Sequence, residues 1–176
     1  MKSTPAYIRY TIVALLLLAG TFYGLYQLTL TGNTDSNDMA HIENYLSLTA
    51  QVDAEIYDMA ADLFTMAESG QHEMGRLTNI LFQIEEHKKA IPTEYDNFKN
   101  LELRSRNMLE TLRKLVLIIY EPVQTSREER NNQWQQQVNE LNRLSGIRIQ
   151  LIKELLEAEG LQYHENSDGS LSYWRP

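Results

Sequence analysis

IENYLSLTAQVDAEIYDMAADLFTM, residues 42–66, decides the fold. Ile42, Tyr45, Thr49, Val52, Ile56, Met59, Leu63 and Met66 recur at alternating steps of 3 and 4. That period lines them along one face of an α-helix and leaves polar residues elsewhere around it. A strand would need a period of two, which this stretch lacks. An apolar stripe of this length cannot stay in water, so other helices must cover it.

Three more stripes follow. Met74, Leu77, Leu81, Ile84 and Ile91 form a shorter one, set off from the first by Ser69-Gly70 and Gly75. Pro92 stops it, because a proline pushes its predecessor out of the helical region. Thr93 followed by Asp96 reads as the next helix start. Phe98, Leu101, Ser105, Met108, Leu112, Leu115 and Ile119 are the third stripe, and Pro122 ends or kinks it. Ser126 with Glu129 is a capping box. Trp134, Val138, Leu141, Leu144, Ile147/Arg148, Leu151, Ile152 and Leu155 form the fourth stripe, closed by Gly160. The helices are thus expected over about 38–69, 72–90, 94–121 and 126–159.

Short connections make successive helices antiparallel, so an all-α, up-down-up-down four-helix bundle is expected over residues 38–160. The alternative treats Gly70 and Pro122 as kinks in a long helical hairpin. Residues 161–176 differ in pattern. Asp168-Gly169 separates two short alternating runs, which signals a β-hairpin. An isolated hairpin is marginal, so it must pack on something. Tyr163, Tyr173 and Trp174 are its candidate cover for the bundle end, or its contact with a membrane interface.

The opposite end of the chain is a different solvent problem. Tyr10–Leu30 carries no charge over 21 residues, about 30 Å of helix, the thickness of a bilayer core. A cleaved signal peptide is the competing reading, but the apolar run is long and its only small-residue exit, Thr29-x-Thr31, is poor. An uncleaved signal anchor is expected. Lys2 and Arg9 precede the run, and the next basic residue is Arg76. The positive-inside rule then puts residues 1–9 in the cytoplasm. Residues 31–37 become a linker, and the helical domain lies outside the cytoplasm in a cell envelope.

Composition narrows the function. Hydrophobic residues make up 43% of the 176 and charged residues 23%, the balance of a globular protein. There is no cysteine, which excludes disulfides, thiolate metal sites and a thiol nucleophile. Beyond the apolar run stand 14 basic and 24 acidic residues, a net −10. Nucleic acid is therefore not an expected partner, since phosphate binding needs a basic surface. No phosphate loop, dinucleotide fingerprint or Gly-x-Ser-x-Gly elbow occurs. Nor does the Glu-x-x-His spacing of carboxylate metal bundles. No enzyme activity, cofactor or metal is expected, and the histidines read as exposed polar residues.

Charge patterning supplies the candidate interaction face. Glu55, Asp58 and Asp62 share one side of the first helix and repel one another there. They need a compensating partner. Lys99, Arg106 and Arg113, spaced by 7 in the third helix, form a basic stripe that could serve within the bundle. A basic segment of another protein could serve instead. Arg148 falls within the fourth apolar stripe and reads as a long side chain reaching outward from the seam, with an inter-helix or ligand-carboxylate clamp as the alternative.

The expectation is a membrane-anchored extracytoplasmic helical protein. It acts as an interaction, assembly or regulatory subunit of an envelope complex, its partner being another envelope protein or a second copy. Two other classes remain open. One is a small-ligand sensor signalling through a separate partner. In length and helix layout alone, the extracytoplasmic part resembles the four-helix sensory domains of bacterial chemoreceptors. The other is a coiled-coil structural linker, although Gly70, Pro92 and Pro122 interrupt any continuous rod.

Overall fold

The computed structural model describes residues 37–70, 73–91, 98–120, 126–166, 171–174 and 176. Among them the chain forms four helices and one two-stranded antiparallel sheet. Helix α1 spans Asn37–Ser69, α2 Met74–Ala90, α3 Lys99–Tyr120 and α4 Arg127–Ala158. Strand β1 spans Gln162–Glu165 and β2 Leu171–Trp174. The expected cytoplasmic stretch, the apolar span at 10–30 and the linker up to residue 36 lie outside the described residues. Among those described, no helix is long and apolar enough to cross a membrane.

Local chemistry sets the helix ends. Gly70 and Gly160 take φ of +65° and +70°, a left-handed turn that ordinary side chains avoid. Gly70 N–H closes on Met66 O, and Leu161 N–H closes on Leu156 O at 2.8 Å. At the start of α4, Ser126 Oγ accepts from Glu129 N–H at 3.2 Å, half of the expected capping box. Helix α3 is described from Lys99, with Phe98 already helical, and the expected start at about 94 lies outside the described residues. The expected cap at Thr93 and Asp96 lies outside the described residues.

Cross-helix contacts fix the directions. Arg76 of α2 reaches Asp62 of α1, and His87 reaches Glu55, so these two helices run antiparallel. Arg148 of α4 reaches both Thr49 and Ser105, and Tyr57 reaches Ser145. Helix α4 therefore returns along α1 and α3. The packing is that of a bundle and not of an extended two-arm hairpin.

The bundle is not uniform along its length. At 33 and 32 residues, α1 and α4 are about 50 Å long, and the 17-residue α2 about 25 Å. Helix α2 thus covers only part of its neighbours. Two separate apolar clusters result. The distal one joins Val52–Met66 of α1, Leu77, Ile80 and Ile84 of α2, Met108–Val116 of α3 and Val138–Leu144 of α4. Phe64 of α1 meets Trp134 of α4 edge-on there, with centroids 5.4 Å apart. The proximal cluster joins Ile42, Tyr45 and Leu46 to Phe98, Leu101, Ile152 and Leu156. Tyr45 stacks on Phe98 at 4.0 Å. No α2 residue enters this second cluster. The hairpin takes its place.

Strand pairing runs Gln162↔Trp174, Tyr163↔Tyr173, His164↔Ser172 and Glu165↔Leu171. The period of two turns Leu171 and Tyr173 inward, where both are buried in the proximal cluster. Ser172 and Trp174 face outward. Lys153 Nζ, 2.5 Å from Glu165 Oε2, ties β1 to α4. The hairpin closes the same end of the bundle from which α1 starts.

Candidate functional site

The face that carries Glu55, Asp58 and Asp62 looks into a groove between α1 and α2. The groove holds a cavity of about 490 Å³, and Phe82, Gln83, Glu86 and His87 of α2 also line it. Its two ends are braced by ion pairs. Arg76 grips Asp62 with two bonds, Nη2 to Oδ1 at 2.5 Å and Nε to Oδ2 at 3.2 Å. This pairing raises the Arg76 pKa above its ordinary value. His87 Nε2 lies 2.7 Å from Glu55 Oε2. Between these braces Asp58 makes no ion pair with any described residue, and it is exposed. Phe82 is 64% exposed, the highest value for a large apolar side chain among the described residues. Burying such a ring is worth about 1.5–3 kcal/mol. The groove therefore offers an unscreened carboxylate beside an aromatic ring.

Two expectations are corrected here. Arg106 and Arg113 of the α3 stripe are engaged elsewhere than on the α1 acids. Arg106 binds Glu102 on its own helix, and Arg113 binds Glu110, which Lys88 of α2 also contacts. Compensation comes from α2, because the antiparallel hairpin of α1 and α2 brings Arg76 and His87 opposite the acids. His87 is also not a free exposed histidine. Its side chain is mostly buried against α1.

A second constellation lies inside the bundle, in the layer between the two apolar clusters. Arg148, expected to reach outward, is 1% exposed. Its Nη2 lies 2.7 Å from Asp53 Oδ2 and also donates to Thr49 Oγ1 at 3.2 Å. Its Nε donates to Ser105 Oγ at 3.2 Å. Thr49 in turn donates to Leu46 O. One turn further along α1, Tyr57 donates to Ser145 Oγ at 3.2 Å. Arg148 is thus the inter-helix clamp of the alternative reading, joining α1, α3 and α4. The outward reading fails because three acceptors, Asp53, Thr49 and Ser105, await the guanidinium inside.

Burial acts on the carboxyl and phenol groups of this layer. It pushes the Asp53 carboxyl up to about 6, against the opposing pull of Arg148. It pushes the Tyr45 phenol up to about 12 and the Tyr57 phenol well above its ordinary value. Sequence reading missed Asp53. The signal was a single acid flanking the stripe, one residue after Val52 and four after Thr49, which needs a buried cation. Arg148 is the charge that enters an apolar stripe from another helix, so each could have announced the other.

The hairpin residues separate by role. Tyr173 is buried in the proximal cluster, and burial pushes its phenol up to about 12. Tyr163 is half-buried, donates to Glu157 Oε1 at 2.8 Å and faces Lys153 Nζ, 6.0 Å from its ring centroid. Trp174 stands at the outer edge, 37% exposed. Comparisons with family models, curated proteins and solved structures return no match.

Proposed function

We propose that the chain is a membrane-anchored, extracytoplasmic helical protein that serves as an interaction subunit of an envelope complex. The groove between α1 and α2 is its docking face, and the occupant is a basic segment of another envelope protein that also carries an apolar residue. The observation that supports this is the juxtaposition of Asp58 and Phe82 on one groove wall pair, between Arg76–Asp62 and His87–Glu55. A cationic side chain would meet Asp58, and its apolar neighbour would cover Phe82. Charge would choose the partner, and ring burial would hold it. The uncharged run at 10–30 supplies the anchor, and the basic flank on its N-terminal side gives the orientation.

The test is cross-linking in native membranes followed by capture through a C-terminal tag. A Glu55→Gln, Asp58→Asn, Asp62→Asn variant is expected to lose most of the cross-linked partner. Its helical content and melting temperature should stay close to those of the parent, because these side chains are surface groups. Undiminished capture by that variant rejects the docking face.

A further inference from the structure

The layer between the two apolar clusters holds an anion that the bundle only half satisfies. A carboxylate can accept through both oxygens. Asp53 Oδ2 receives the Arg148 bond, but Oδ1 has no hydrogen-bond partner among the described residues. Both side chains of the pair are 2% exposed, so bulk water does not reach that oxygen. A buried anion with an unmet oxygen is costly, and a proton removes the charge while Oδ2 goes on accepting. Arg148 is not stranded by this, because Ser105 and Thr49 also accept from it.

We propose that Asp53 is a proton-binding site whose occupancy tightens the seating of α1 on α3 and α4, so that the bundle closes more firmly as its surroundings acidify. The link is structural. Helix α1 meets α4 at this level through Thr49, Asp53 and Tyr57, which reach Arg148 and Ser145. Among the described residues, the groups around Asp53 come from all four helices. Helix α4 brings Arg148, and α1 itself brings the phenols of Tyr45 and Tyr57. Helix α3 brings Ser105, with Glu102 near Tyr45 and held by Arg106. Helix α2 packs His87 on Glu55 of α1, two residues along from Asp53.

The sign follows from linkage. Seated, Asp53 titrates at about 6. Unseated in water, it would titrate near about 3.9. The seated state therefore binds the proton more tightly. Acidification from about pH 7 to about pH 4 favours it, and alkalinity loosens it.

Hydrogen exchange of the full chain in detergent micelles tests this, read as protection factors for amides 49–57 corrected for intrinsic rates. Protection is expected to rise at least roughly tenfold between about pH 7.5 and about pH 5, the weight of one unit of pKa difference. The Asp53→Asn variant should show no such rise. A flat parent profile overturns the proposal, and so does an equal rise in Asp53→Asn. Loss of the rise in His87→Asn also overturns it, because it would move the effect to the Glu55–His87 pair. A carbon-13 titration of the Asp53 carboxyl needs no variant and stands even where Asp53→Asn does not fold. A midpoint well above the ordinary aspartate range is expected, and one at or below that range overturns the proposal.

Discussion

Arg148 and Asp53 are held inside the bundle at a cost that their mutual contact offsets in part, with Thr49 and Ser105 accepting from the guanidinium as well. Removing one partner leaves a buried charge, whereas removing both leaves an ordinary core position. Arg148→Ala is expected to destabilise the fold by about 3–5 kcal/mol at neutral pH. The penalty should shrink in mild acid, where the orphaned Asp53 takes up a proton. Asp53→Leu with Arg148→Met should cost far less than Arg148→Ala alone. Urea unfolding at two pH values checks the set, and equal losses in the single and double variants would refute it. Residue by residue, the sequence was legible where a pattern repeats. It was opaque where a pair forms across 95 positions, because periodicity records a face and not the partner opposite it. The α1 acids illustrate the same limit. Their shared face was evident at steps of 3 and 4, but their partners, Arg76 and His87, depend on how far α2 slides along α1.

At the scale of elements, the two ends of the bundle are built differently. Distal packing uses four helices, and proximal packing uses three helices and a hairpin. The stripes announced the four helices, and Asp168-Gly169 announced the strand pair. What no stripe announced was that α2 stops at the polar layer and leaves the proximal end to β2. That follows from length, since 17 residues cannot run beside all of a 33-residue neighbour. Tyr173→Ala is expected to cost about 3 kcal/mol by opening a void among Ile42, Leu46 and Leu156. Hydrogen exchange should show the loss first at the N-terminal half of α1, with amides around Met59–Phe64 still protected. Ser126→Ala removes only a helix cap and should cost about 1 kcal/mol. Equal loss of protection at both ends after Tyr173→Ala would mean that the polar layer does not divide the bundle.

For the whole molecule, two sets of carboxylates pull stability in opposite directions with pH. Asp53, raised by burial, adds stability as pH falls through about 6 towards the ordinary carboxylate range. Glu110 and Glu140 behave the other way. Bonds from Lys88 and from Arg143 hold them below that range. Their contribution is present at neutral pH and disappears as pH falls through their lowered values. Maximum stability is therefore expected on the acid side of neutrality, at about pH 5. Melting temperatures across pH check this, and a maximum at pH 7 or above would contradict it. The Asp53→Asn variant should shift the maximum upward.

The length of α1 has a consequence for whatever docks on it. Glu55 and Asp62 lie 18 and 25 residues from Asn37 along one continuous helix. At 1.5 Å per residue the groove stands about 27–38 Å above the base of the domain. With the base at a bilayer, as proposed, that height becomes a ruler. A partner tethered in the same membrane must first climb roughly 30 Å, about nine or ten extended residues, before its basic segment reaches Asp58. Candidates whose basic stretch begins immediately after their own anchor are too short to arrive.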